Sequence, residues 1–240
     1  MKKLAYIFLA VFTLFCFASC AKYQDAQIDY WKDNDFEVQI EDTSDALTYF
    51  PKGKDYRYGL IFYVGTGLDV DSYAYLGNAL AKQGYLFVVP KTEYNMTYNF
   101  YEDRETAFIK YNNISFFVGG HSQGGGAAVL RAQQNESIVS GVVLFAPLCY
   151  NDDSLKDTKL KVLFLEGEND KILTDAMKAD AKSRMNEKTT YYMIEGGNHM
   201  GFSSVNFFAD GKLTITLEEM QQQIINYTLD FLKPKRFLKF

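Results

Sequence analysis

The chain has 240 residues, with 25 Lys+Arg against 30 Asp+Glu, and is 48% hydrophobic and 23% charged, which excludes disordered, collagen-like and low-complexity classes. The net charge is −5 and the densest basic spot is Lys233-Pro-Lys-Arg236, so no nucleic-acid footprint is present. The 18 Tyr, 20 Phe and single Trp supply ample core material for one large domain.

The N-terminus has the form of a targeting segment. Lys2 and Lys3 precede an apolar run, Leu4 to Ala18, broken only by Thr13. That run is too short for a membrane span, which needs ~20 residues, but fits the apolar region of a signal peptide. The following Phe17-Ala18-Ser19-Cys20 resembles a bacterial lipobox. The resemblance implies cleavage before Cys20, lipidation of its thiol, and a lipoprotein held to a membrane of the cell envelope; a plain secretory signal is the alternative. The expected organisation is a signal peptide over 1–19, a tether over 20–35 and a single domain over 36–240. Loss of residues 1–19 leaves 221 residues and shifts the net charge from −5 to −7. Cys16 goes with the signal and Cys20 is blocked by lipid, which leaves Cys149 without a disulfide partner.

The remaining chain reads as alternating strand and helix. Phe36–Glu41 and Ala46–Phe50 look like a preceding pair of strands. Continuous apolar runs follow at Leu60–Val64, Tyr85–Val89, Ile114–Val118, Val142–Ala146, Val162–Leu165 and Tyr191–Ile194. Their starts lie 25, 29, 28, 20 and 29 residues apart, a spacing that suits βαβ units in a sheet buried on both faces. Helices are expected over Asp71–Lys82, Asp103–Tyr111, Gln123–Gln134, Leu173–Met185 and Leu217–Leu232. The predicted class is α/β, a mostly parallel central sheet with helices on both faces. The short stretch between Ala146 and Lys161 leaves no room for a lid domain.

The chemistry gathers at Gly120-His121-Ser122-Gln123-Gly124, between a predicted strand and a predicted helix. A sharp strand-to-helix turn strains the serine backbone, and side chains at 120 and 124 would strike the neighbouring chain. The helix N-terminus adds free N–H groups and partial positive charge beside Ser122. A serine nucleophile needs a base, and the chain has two histidines. His121 sits inside the turn and is expected to pack beneath it. His199, in Glu195-Gly-Gly-Asn-His-Met-Gly-Phe202, is the remaining candidate base. Eleven acids lie between Ser122 and His199. Asp170, three residues past Gly167 at the end of a strand, is favoured. Glu168 competes, Glu166 belongs to the strand, and Asp152 and Asp153 follow the preceding strand. Helix capping ahead of Leu173 is the structural alternative for Asp170. Two backbone N–H groups are candidates for an oxyanion hole: Gln123, after the nucleophile, and Thr66 in Gly65-Thr-Gly-Leu-Asp69.

Gly-His-Ser-Gln-Gly, Glu-Gly-Glu-Asn-Asp and Gly-Gly-Asn-His, in this order, resemble the α/β-hydrolase superfamily. Leu60-Ile-Phe-Tyr-Val-Gly-Thr-Gly, Val88-Val-Pro-Lys91 and Ile194-Glu-Gly-Gly-Asn-His199 are similar to a compact, lidless bacterial branch somewhat like dienelactone hydrolases. Dienelactone hydrolases use Cys as nucleophile, where this chain has Ser122, and Thr66 stands where the branch prefers Gly. The resemblance implies hydrolysis of a small-molecule ester, carboxylesterase-like, by Ser122, His199 and Asp170 through an acyl-enzyme. It implies no cofactor, and two His with one free Cys make no zinc set. Thioesterase, lipase and peptidase activity on the same triad, and a non-catalytic exported lipoprotein retaining the fold, are the alternatives. The aromatics of Tyr94–Tyr101, and Phe202, Phe207 and Phe208, either line an acyl pocket or pack the sheet edge.

Overall fold

A computed structural model describes residues 37–92, 110–150, 153–205 and 207–233. The expected signal peptide, tether and Cys20, the aromatic loop 94–101 and almost all of the expected helix 103–111 lie outside these residues.

Eight strands form one sheet: β1 Val38–Asp42, β2 Ala46–Pro51, β3 Tyr58–Tyr63, β4 Tyr85–Pro90, β5 Ser115–His121, β6 Val139–Phe145, β7 Val162–Gly167 and β8 Thr189–Ile194. The spatial order is β1-β2-β4-β3-β5-β6-β7-β8. The β1/β2 and β2/β4 pairs are antiparallel, and every pair from β4 to β8 is parallel. The α-helices among the described residues are α1 Ala74–Lys82, α2 Gln123–Gln134, α3 Asp175–Ser183 and α4 Leu217–Leu232. A 3₁₀ turn, Val70–Tyr73, leads into α1. No lid domain stands among the described residues.

Alternation along the strands divides the core in two. Leu60 and Phe62 of β3 face one side, with Leu76 and Leu80 of α1 and Met220 and Ile224 of α4. Ile61 and Tyr63 face the other, with Ala127, Ala128 and Ala132 of α2 and Ala181 of α3. Successive side chains on a strand point to opposite faces, so the central strands, buried on both, read as unbroken apolar runs.

Four expectations need correction. β5 does not stop at Val118 but runs on to His121, because Gly119, Gly120 and His121 pair with Val143, Leu144 and Phe145. Ala146 leaves β6, its φ of 40° being incompatible with a strand. α3 begins at Asp175 rather than Leu173, since the Thr174 side chain accepts the Met177 N–H and caps it. β8 is an edge strand with Tyr191, Tyr192 and Met193 exposed, although its sequence reads like a buried one. α4 begins where a capping box forms: Thr216 Oγ1 accepts from Glu219 N at 3.1 Å and Glu219 Oε2 accepts from Thr216 N at 2.8 Å.

Candidate active site

β5 delivers Ser122 to the C-terminal edge of the sheet, and α2 starts at the next residue. Ser122 has φ 54° and ψ −123°, a conformation that costs a non-glycine residue ~1–3 kcal/mol. Neighbouring chain holds it there. Ser122 N donates to Phe145 O at 3.0 Å, and Ser122 O accepts from Leu148 N at 2.8 Å and Gly125 N at 3.0 Å. The expected collisions at the turn are present. A Cβ at Gly124 would lie 2.2 Å from Tyr63 O and 2.3 Å from Val64 O, and one at Gly120 would lie 2.2 Å from Gly124 O. The first turn of α2 therefore presses directly on the end of β3.

His199 and Asp170 meet on loops after β8 and β7. His199 Nδ1 and Asp170 Oδ2 are 2.9 Å apart, and both side chains are buried. Asp170 divides its oxygens: Oδ1 accepts from Ile172 N at 2.9 Å and Leu173 N at 3.0 Å, while Oδ2 serves the imidazole. Burial raises the Asp170 pKa. The His199 hydrogen bond and charge, the Leu173 N–H and Lys178 outweigh burial and hold the carboxyl below its ordinary value.

His121 packs beneath the turn as expected. It is fully buried, with Nδ1 2.9 Å from the Tyr73 hydroxyl, which also accepts from Gly65 N at 3.2 Å. Burial first, and then the charge of His199, push its pKa well below the ordinary histidine value. The His121 and His199 rings lie 4.6 Å apart, which sets His199 beside the residue preceding Ser122. No hydrogen bond joins Ser122 Oγ to His199 among the described residues. Such contacts commonly tighten only when substrate binds.

On the other side of Ser122, Gly65–Leu68 forms a turn closed by Leu68 N donating to Gly65 O at 3.1 Å. Thr66 Oγ1 donates to Gln123 Oε1, and Gln123 Nε2 donates to the Tyr150 hydroxyl at 2.7 Å. The Gln123 amide thus ties the loop after β3 to the loop after β6. The Thr66 and Gln123 backbone N–H groups have no acceptor among the described residues.

The sequence matches the α/β hydrolase family over residues 59–223, about two thirds of the chain. The chain belongs to the α/β-hydrolase family. No curated protein matches it in sequence. Solved structures share the fold at low identity. A predicted CIB-like hydrolase from Thermoplasma acidophilum aligns with a TM-score of 0.57 and 18% identity, over 80% of this chain and 98% of its own. Est1E from Butyrivibrio proteoclasticus, with ferulic acid bound, aligns at 0.59 and 12%, over 80% and 95%. A dienelactone hydrolase from Anabaena variabilis aligns at 0.58 and 15%, over 82% and 100%.

Within this α/β hydrolase the competing acids fall elsewhere. Glu168 Oε2 accepts from Gly196 N at 2.8 Å and so braces the glycine-rich loop before His199. Glu166 lies in β7 and pairs with Lys182 of α3 at 2.6 Å. Asp153 accepts from Tyr150 N at 3.1 Å, and Asp152 lies outside the described residues. Phe202 is fully buried and packs on Phe145 at 5.4 Å and His121 at 5.7 Å, so it supports the site from below rather than lining a pocket. Phe208 is 91% exposed. Cys149 is buried and its thiol is pushed up to about 12 by burial, which leaves it inert as a nucleophile. A cavity of about 590 Å³ opens beside the Thr66 loop, lined by Asp69, Val70, Asp71, Lys91 and Thr92 among others.

Sequence reasoning missed three residues of the site. Tyr73 meets the site from the 3₁₀ turn before α1 and Tyr150 from the loop after β6, and no motif marks either. Asp210 Oδ2 accepts from Met200 N at 2.8 Å, and no spacing rule links it to His199.

Proposed function

We propose that this α/β hydrolase is a serine esterase in which Ser122 is the nucleophile, His199 the general base and Asp170 the acid that orients it. The observation that carries the reading is the buried 2.9 Å His199–Asp170 pair beside the strained Ser122 turn. His199 Nε2 would take the Ser122 proton as Oγ attacks the ester carbonyl. Asp170 accepts the Nδ1–H, which fixes the tautomer and stabilises the imidazolium that forms. The tetrahedral oxyanion would be held by the N–H groups of Thr66 and Gln123, each worth ~3 kcal/mol in such sites. The imidazolium then protonates the leaving alcohol, and the acyl-enzyme is cleaved by water through the same base. Ferulic acid in Est1E and the dienelactone hydrolase among the neighbours favour a small ester over a long-chain lipid.

The test is reaction of the purified domain, from residue 21 onward, with a fluorophosphonate probe beside Ser122→Ala and His199→Ala. A single adduct on Ser122, absent from both variants, is expected. A folded wild-type protein that does not label refutes the mechanism. Turnover of short-chain ester, thioester, amide and long-chain substrates then separates esterase from the other triad hydrolases.

We further infer that the protein is exported and anchored through a lipid on Cys20. Support comes from Lys2 and Lys3, the apolar run to Ala18, and the small residues ahead of Cys20. Mass spectrometry of the mature N-terminus should find a diacylated or triacylated Cys20, and Cys20→Ala should release the protein from membranes. An unmodified N-terminus refutes the anchor.

A further inference from the structure

The segment after His199 returns across the site. Residues 207–214 reach both loops that carry the His199–Asp170 pair. Thr214 N donates to Gly196 O at 2.9 Å on the histidine loop, and Asn169 Nδ2 donates to Thr214 Oγ1 at 3.3 Å on the acid loop. Asn198 Nδ2 donates to Gly211 O at 2.7 Å.

One carboxylate in this strap does more than its neighbours. Asp210 Oδ2 accepts from Met200 N at 2.8 Å, the N–H that follows His199. Asp210 Oδ1 accepts from Lys171 N at 3.2 Å, the N–H that follows Asp170. Gly211 N adds a third bond, to Oδ1 at 2.7 Å. A single side chain thus holds the peptide after the base and the peptide after the acid, each on its own oxygen. The triad reading assigns neither bond. A carboxylate that only closed its own loop would need the Gly211 contact alone.

We propose that Asp210 is a positioning residue for the His199–Asp170 pair: its two carboxylate oxygens staple the loops after β7 and β8 so that the imidazole and the orienting acid stay in register. The proposal rests on the reading of His199 as the base. A group that fixes a catalytic residue from behind acts on geometry, and a displacement of about 1 Å can cost ~100-fold in rate. The staple also carries charge. The charged and titratable groups around the pair are Asp210, His121 and, from α3, Lys178, whose Nζ donates to Asp170 O at 2.8 Å. Burial holds the Asp210 pKa above its ordinary value, against the pull of the Met200 and Lys171 N–H groups and the His199 charge. The Asp210 carboxylate and His199 are thus within electrostatic reach of one another.

The experiment compares wild type, Asp210→Asn and Asp170→Asn by fluorophosphonate labelling rate and by the pH dependence of kcat/KM on a short-chain ester. An Asn side chain keeps one acceptor oxygen and sets its amide NH2, a donor, against the other N–H, so it opens the staple. Asp210→Asn is expected to lower kcat and the labelling rate by ~10–100-fold while KM changes by less than about 3-fold. Removal of the nearby negative charge also moves the acid limb of kcat/KM to lower pH, a change that a merely structural role would not produce. If Asp210→Asn labels at the wild-type rate with an unmoved limb while Asp170→Asn is impaired, the staple is refuted and the triad stands. If Asp170→Asn also labels like wild type, the reading of the pair itself has failed. If Asp210→Asn does not fold, Asp210→Glu keeps the charge but misplaces the two oxygens. A folded Glu variant with full labelling rate overturns the proposal, and one with a reduced rate supports it.

Discussion

Gly124→Ala isolates the close contact on which the site depends. In a helix, Ala is favoured over Gly by up to ~1 kcal/mol, so propensity alone predicts a more stable protein. The contact predicts the opposite. The added Cβ would meet Tyr63 O at 2.2 Å and Val64 O at 2.3 Å, whereas carbon and carbonyl oxygen ordinarily approach to ~3.3 Å. Both oxygens belong to the backbone at the end of β3, so relief requires α2 and β3 to separate by about 1 Å. Overpacking of this kind costs ~1–3 kcal/mol, which offsets the propensity gain and leaves a net loss of up to about 2 kcal/mol. Against a typical domain stability of ~5–15 kcal/mol the variant stays folded. Its activity should nonetheless fall, because the same separation pulls the Gln123 N–H away from the Thr66 loop, and about 1 Å can cost ~100-fold. Urea unfolding and fluorophosphonate labelling rate measure the two effects. Gly84→Ala is the control: its φ of 87° makes Ala cost ~1–2 kcal/mol, but nothing lies within 4 Å of the added Cβ, so labelling should not change. A Gly124→Ala protein as stable and as reactive as wild type would refute the argument that this contact sets the site.

Ser122→Gly should abolish labelling and raise stability by about 1 kcal/mol, since glycine relieves the strain at φ 54° while losing some chain entropy on folding. Ser122→Ala keeps the strain and should show no such gain, and equal urea midpoints for the two variants would discount strain. His121 is held neutral in the fold with its pKa well below the ordinary value, so its contribution is complete above ~6.5 and is lost as pH falls below that, by up to ~1.4 kcal/mol per pH unit. His121→Gln should flatten the stability curve between pH 6.5 and 5 relative to wild type, and parallel curves would contradict the assignment; Asp170, whose pKa is depressed, loses its contribution only at more acidic pH. Tyr150→Phe removes the acceptor for Gln123 Nε2 and should cost ~0.5–1.5 kcal/mol and slow labelling several-fold, where an unchanged labelling rate would show that the tie does not position Gln123.

The sequence was most legible where one physical signal dominated. α2 over Gln123–Gln134 and α4 over Leu217–Leu232 lie where their start signals and periodicity put them. The central strands were legible because burial on both faces leaves a run of apolar residues with no other use. The ends were less so. β5 was cut short at Val118 because hydropathy fades at Gly119-Gly120-His121, although these residues keep the ladder with β6. β8 carried the composition of a central strand, and no local feature announces that no strand lies beyond it among the described residues. At the site, motif order brought Ser122, Asp170 and His199 into one argument. The carboxylate of Asp170 was expected to serve either the imidazole or the turn before α3, and it serves both, one oxygen each. Asp210 was illegible for a different reason. Its partners are backbone N–H groups, which every residue but proline carries, so the pairing leaves no trace in residue types.

The short connection after β6 takes on a role that its length alone does not suggest. Ser122 and Ala146 are the two non-glycine residues with positive φ among the described residues, and they stand at the ends of adjacent strands. Ala146 N donates to Leu165 O at 2.8 Å, which continues the β6–β7 ladder through the strained residue. Two residues later Leu148 N donates to Ser122 O at 2.8 Å, while a Cβ at Gly125 would meet Pro147 at 2.7 Å. The bend at Ala146 therefore aims the chain back at the turn, and Leu148 satisfies a carbonyl that the rotated Ser122 peptide presents away from its own strand. A helix beginning directly after β6 would use that N–H for its own first turn and leave the Ser122 carbonyl short of a donor. The absence of a helix between Ala146 and Lys161 among the described residues thus has a structural cause. Strain at Ser122 is sustained by a second strained residue on the neighbouring strand, and each conformation holds the other in place.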